Sequence, residues 1–264
     1  MLCKTRYPIV LLHGTGSRDW ENKSCWGRIP KALTDRGAEV YFGNQDAWGT
    51  IEKNALIIKA NIDRIIYESD CEKVNIIAIS KGGIEARYII TKMGMKDKIA
   101  SLTTVSTPHH GSKALEFLCL KLKPVMKIIA LFINKLFKIL GDKEPDFYNM
   151  CLQLTTINMQ IFNQDVPDVK DVYYQSYAGL MKKLYSDMLV FFSYLFVRIF
   201  DGEGDGIVSV NSAKWGNFKG IITGKGIRGM SHCDLRDLRK RNINGTDIRE
   251  IYINIVNELK EMGF

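Results

Sequence analysis

The sequence predicts an α/β fold: a mostly parallel central sheet flanked by helices, with an inserted helical cap. Three observations predict it. Short apolar runs alternate with segments of helical periodicity through the first hundred residues. The runs are continuously apolar rather than alternating, the pattern of strands covered on both faces. A long, mainly apolar stretch of helical spacing then interrupts the alternation before strand-like runs return.

Residues 8–12 (PIVLL) and 38–42 (AEVYF) read as the first two strands. Apolar residues recur at helical spacing over 51–67, and 74–79 (VNIIAI) forms a third strand ending at Ser80. A helix through Ile84, Arg87, Tyr88 and Ile89 follows, and 99–105 (IASLTTV) is the next strand. Strands and helices in alternation argue for parallel pairing through right-handed crossovers. Strands return at 172–177 (VYYQSY) and 220–223. A final helix over 247–262 sets Ile248, Ile251, Tyr252, Ile255, Val256 and Leu259 on one face, to pack on the sheet.

The interruption spans about residues 113–165. Over 113–140, Lys113, Glu116, Lys123, Lys127, Asn134, Lys135 and Lys138 gather within an arc of roughly 120°, leaving the remaining surface mainly to Leu, Ile, Phe, Val and Met. Pro124 should break or kink the helix, and the lysines interrupt any run long enough to cross a bilayer. A second apolar stretch, 188–200, carries one charge, Arg198, and is too short to span a membrane. The expected organisation is one domain over 1–264, with a cap or lid at about 113–165 and a second short apolar cap helix at about 180–200. Such helices either pack over a site or lie on a lipid surface.

Composition narrows the partners. The net charge is +8, but its lysines and arginines are scattered and no nucleic-acid-binding motif accompanies them. Anionic lipid surfaces are the functional reading of that charge, and a solvated surface the plain one. The first eight residues lead into a strand with no apolar leader, so a cytoplasmic location is expected, or secretion if a leader has been removed. Cysteines at 3, 25, 71, 119, 151 and 233 form no CxxC pair, and read as free thiols rather than a zinc site or disulfide framework.

Three constellations carry chemistry. In Ala78-Ile79-Ser80-Lys81-Gly82-Gly83, a serine stands between a strand and a helix with small residues two positions to either side. A nucleophile elbow needs that pattern, because larger side chains in so tight a turn would strike neighbouring strands. Its first position is Ala78 where glycine is usual. Residues 10–16 (VLLHGTG) end the first strand in His-Gly. The amide after such a pair, together with the amide after the nucleophile, can hold an oxyanion, which designates Thr15 and Lys81.

The serine also needs a base, and the base a carboxylate. Of the four histidines, His13 belongs to the oxyanion loop, and His109 and His110 precede any candidate acid. His232 is left as the base, since the order in such folds is Ser, acid, His. The acid is sought in the glycine-rich loop 201–209, free to aim a carboxylate, with Asp205 chosen and Asp201 and Glu203 as alternates.

The segments YPIVLLHG, ISKGG, STPHHGS, VYYQSYAG, DGIVSVNSAKWG and MSHCDL together resemble the bacterial triacylglycerol lipase family, the pseudomonad-type true lipases and their Gram-positive relatives. The resemblance runs from residue 7 to the C-terminus and is weak across 113–165. It implies an α/β-hydrolase fold, serine-dependent hydrolysis of lipid or small esters and a helical lid, and it selects Asp205 over its alternates. It also implies a structural calcium ion near the histidine loop, with Asp234 and, approximately, Asp187 as ligands; the chemistry itself calls for no cofactor. One departure stands out: the family usually has histidine before the serine, and here it is Ile79. Two other functions stay open, a short-chain carboxylesterase or acyltransferase, and a non-catalytic lipid-surface protein on the same scaffold.

Overall fold

The structure is a computed structural model that describes residues 2–19 and 25–264. The chain runs β1 (Ile9–Leu12), α1 (Ile29–Thr34), β2 (Val40–Phe42), α2 (Ile51–Ser69), β3 (Val74–Ile79), α3 (Lys81–Lys92) and β4 (Ile99–Val105). It continues through α4 (Lys113–Lys121), α5 (Lys123–Ile139), α6 (Phe147–Gln153), α7 (Thr156–Asp165), β5 (Tyr173–Gly179), α8 (Phe191–Phe200), α9 (Val210–Ala213), β6 (Asn217–Ile222) and α10 (Ile248–Glu261).

The described strands form one sheet in the order β2-β1-β3-β4-β5-β6, and every neighbouring pair is parallel. Strands β1, β3 and β4 are buried at every residue, as their unbroken apolar runs require. On one face Ile9, Leu11, Ile77 and Ile79 pack with Trp26, Leu33 and the α10 residues Tyr252, Ile255 and Val256. On the other, Val10, Leu12, Ile76 and Ala78 pack with Ile58 and Ile62 of α2 and Ala86 and Ile89 of α3. Alternate side chains of each strand thus serve opposite layers. Ile253, outside the expected apolar face of α10, is also buried, whereas Ile251 is only partly so.

Pro124 divides the expected long helix into α4 and α5. It lies in the first turn of α5, where the missing amide costs no helical hydrogen bond. Asp201 accepts from Ser112 Oγ at 2.8 Å and from the Lys113 and Ala114 amides at 2.7 and 3.1 Å, capping α4 from the other end of α8. Helix α5 buries Met126 and Ala130 but leaves Leu131 and Phe132 72% and 73% exposed. Edge strand β6 begins at Asn217, ahead of its apolar residues, and alternates in exposure along its length. All six cysteines are free.

Candidate active site

Ser80 ends β3 with φ 56° and ψ −134°, a backbone conformation rarely taken by an L-residue, and one costing about 1–3 kcal/mol where the surroundings enforce it. Three glycines show how the surroundings do so. A Cβ on Gly82 would lie 2.6 Å from the His13 carbonyl oxygen and 2.7 Å from that of Leu12. One on Gly83 would meet Thr107 Oγ1 at 2.3 Å, and one on Gly14 would meet Ser80 Cβ at 2.5 Å. The serine is therefore lifted out of a turn pressed directly against the β1 loop. Ile79, in place of the usual histidine, faces away into the sheet core and is 1% exposed.

Ser80 and Thr15 line a cavity of about 410 Å³. Its walls are apolar and come from the helical layer: Leu115 and Leu118 of α4, Met150 of α6 and Phe196 of α8. Residues of both apolar stretches thus line the same cavity as the serine. Among the described residues, the amides of Thr15 and Lys81 donate to no protein acceptor. Lys81 opens α3, so its amide is one of the unpaired donors at the positive end of a helix dipole.

The Lys81 side chain turns away from the cavity. Its ammonium is buried against Glu85 one helical turn on and donates to the Gly49 carbonyl at 3.0 Å. Burial pushes the Glu85 carboxyl upward, opposed by Lys81 and by the Asn54 amide that donates to it at 2.7 Å. The sequence reading missed this anchor, although the i,i+4 spacing of Lys81 and Glu85 was available to suggest it.

His232 and Asp205 are brought together. His232 Nδ1 lies 2.6 Å from Asp205 Oδ2, and the His232 amide donates to the Asp205 carbonyl at 2.9 Å. Facing a carboxylate, Nδ1 carries the proton and Nε2 is left as the acceptor. Asp205 is fully buried and its second oxygen accepts from the Ile207 and Val208 amides at 3.0 and 2.9 Å. The acid loop is accordingly a tied turn, not a slack segment. A Cβ on Gly206, at φ 100°, would lie 2.7 Å from Val190 Cγ2, a physical reason for glycine after this aspartate. The alternates are occupied elsewhere, Asp201 as the cap of α4 and Glu203 in an exposed pair with Arg198 at 3.0 Å. Among the described residues no hydrogen bond joins Ser80 to His232.

The other histidines lie outside this pair. His109 is buried between Thr104, Arg87 and Trp215, and burial holds its pKa well below the ordinary histidine value. His110 contacts the Lys214 carbonyl, and His13 contacts the carbonyls of Gly14 and Gln45.

Asp187 and Asp234 also meet, with the Arg239 guanidinium between them. Arg239 grips both Asp187 oxygens, one of them at 2.8 Å, and reaches Asp234 Oδ1 at 3.3 Å. Burial would raise the Asp187 carboxyl, but hydrogen bonds from Arg239 and Ser231 outweigh it and hold the group below the ordinary carboxylate range. This arrangement does not fit calcium. That ion takes six to eight oxygens at about 2.3–2.6 Å, whereas here N–H donors fill the space between the carboxylates. Among the described residues no group of three or more acidic, histidine or cysteine side chains is placed to hold a metal. Arg236, two residues after Asp234, is not part of the cluster and reaches Ser17.

A profile of the palmitoyl protein thioesterase family matches residues 8–181, from just before β1 through β5. The chain belongs to that family. The matched stretch contains Thr15, Ser80 and Lys81, and ends before Asp205 and His232. With the lipase relatives that follow, membership places the chain among the carboxylic ester hydrolases. A Saccharomyces cerevisiae protein named triacylglycerol lipase 2 is 28% identical over 90% of this chain and 74% of its own length. A Pseudomonas fragi triacylglycerol lipase is 27% identical over 98% of both chains. The match to a Pseudarthrobacter phenanthrenivorans triacylglycerol lipase, 29% identical, covers 62% of this chain and about half, 54%, of that one. Among solved structures, a Staphylococcus hyicus lipase superposes with a TM-score of 0.75 at 15% identity, covering 98% of this chain and 96% of that one. The mature Bacillus licheniformis lipase BlEst2 gives 0.70 at 18% identity, covering 95% and 91%. The fold is that of the α/β-hydrolases. Among the described residues no helix is long and apolar enough to cross a membrane.

Proposed function

We propose that the protein hydrolyses long-chain acyl esters through Ser80, His232 and Asp205, with a covalent acyl-enzyme intermediate. The reading is supported by a strained serine lining an apolar cavity and, separately, by a buried His232–Asp205 pair of the kind a serine nucleophile needs as base and orienting acid. Ser80 Oγ attacks the ester carbonyl while His232 Nε2 takes its proton, and Asp205 steadies the resulting imidazolium. The Thr15 and Lys81 amides receive the oxyanion, each donor in comparable sites being worth about 3–4 kcal/mol in the transition state. His232 returns the proton to the departing alkoxide. Water, activated by the same nitrogen, then releases the acid and frees the serine.

The wall of Leu115, Leu118, Met150 and Phe196 suits an acyl chain and offers no charged partner to a polar acid. The exposed apolar faces of α5 and α8, with Leu131, Phe132 and Phe192 above 70% exposed, suit peripheral contact with a lipid interface. Family membership favours a second substrate class for the same chemistry, S-acyl thioesters. A panel of p-nitrophenyl esters from acetate to palmitate, run beside a palmitoyl thioester, tests the reading. The expected result is a rate that rises with chain length and is absent from Ser80→Ala; turnover undiminished in that variant contradicts it.

A further inference from the structure

We propose that Arg239 is a built-in cation that holds the histidine loop in register, taking the place that the lipase resemblance gives to a calcium ion. The proposal rests on the hydrolase reading above, because the residue it positions is His232.

Two segments meet at the guanidinium. Asp187 belongs to the turn leading into α8, and its Oδ1 also accepts the Leu189 amide at 2.9 Å. Asp234 follows His232 by two residues, and Arg239 itself lies five further on. The Asp187 side chain is fully buried and that of Asp234 nearly so, while Arg239 is 24% exposed and closes the cluster from outside. Between the aspartates sits Ser231, fully buried and adjacent to His232. Its hydroxyl donates to Asp187 Oδ2 at 2.5 Å and accepts the Asp234 amide at 3.2 Å, and its own amide donates to Asp234 Oδ2 at 3.2 Å. The backbone from which His232 projects is thus fixed by two carboxylates, which are fixed in turn by one guanidinium.

The chemistry of the donor explains why arginine suits this task. A planar fork binds one carboxylate with two nitrogens and still reaches a second, which a lysine ammonium cannot do with the same geometry. Removing it leaves two buried carboxylates facing each other without a counter-charge, so the cluster must open or take up protons. Either change moves Ser231 and therefore the His232 imidazole. Arg239 touches neither Ser80 nor the cavity wall and is a positioning residue.

The test uses the full chain, with active sites counted by fluorophosphonate labelling so that only folded enzyme is compared. Arg239→Ala should lose about 100-fold in kcat, the scale of a 1 Å misplacement, with KM little changed. Free guanidinium ion at sub-denaturing concentration should restore part of that loss without affecting the wild type, a response that mere loss of stability would not give. Arg239→Lys, which keeps the charge and loses the fork, should lose less and keeps the test open where Arg239→Ala fails to fold. Wild-type activity should be unchanged by a chelator or by added calcium. Wild-type kcat in either folded variant, no guanidinium rescue of Arg239→Ala, or chelator-sensitive wild-type turnover restored by calcium would each overturn the proposal. Absence of wild-type labelling and turnover would instead contradict the hydrolase reading, so the two failures are distinguishable.

Discussion

Asp205 and His232 are joined twice, by the 2.6 Å contact between Oδ2 and Nδ1 and by the main-chain hydrogen bond from the His232 amide to the Asp205 carbonyl. The second bond sets the separation of the two loops even without the side chains. Asp205→Asn should therefore fold normally while losing about 10,000-fold in kcat, because an amide no longer selects the right imidazole tautomer. Circular dichroism and ester kinetics on the same sample check both halves.

Asp201 should behave in the opposite way. As the cap of α4 it has no contact with His232, so Asp201→Ala is expected to cost about 1 kcal/mol in urea melts with kcat near wild type. A collapse of kcat in that variant, with Asp205→Asn active, would exchange the roles of the two residues.

The buried Lys81–Glu85 pair supports the elbow from below. Glu85→Gln leaves the ammonium without its counter-charge and should lower stability by about 3–5 kcal/mol, measured by denaturant unfolding. A loss under 1 kcal/mol would show that the Gly49 carbonyl suffices.

Leu118 lines the cavity wall, so Leu118→Trp should shorten the usable channel. The expected outcome is a shift of preference from long to short acyl chains at a stability cost of about 1–3 kcal/mol. An unchanged chain-length profile would place the acyl chain elsewhere.

The sheet was legible in the sequence because strands buried on both faces are written as unbroken apolar runs, as in 74–79 and 99–105. Strand β6 was read too short because the exposed polar residues Asn217 and Lys219 flank Phe218 at the sheet edge and leave no continuous apolar run there. The elbow was legible for a similar reason: the turn at Ser80 leaves no room for a side chain at Gly82 or Gly83, and those small residues are local. Asp205 was not separable from Asp201 and Glu203 by residues alone, since what distinguishes them is the amide nest of Ile207 and Val208 and the distant Ser112. Arg239 escaped notice because its main partner, Asp187, lies 52 positions away and nothing in the local pattern marks one basic residue of the 236–241 stretch over another.

The most direct measurement of the central claim is fluorophosphonate labelling combined with hydrolysis of a long-chain p-nitrophenyl ester, in wild type and Ser80→Ala. The account predicts one covalent adduct per wild-type chain, mapped to Ser80, with ester turnover that the variant lacks. A label on another residue, or equal turnover in the variant, would contradict it.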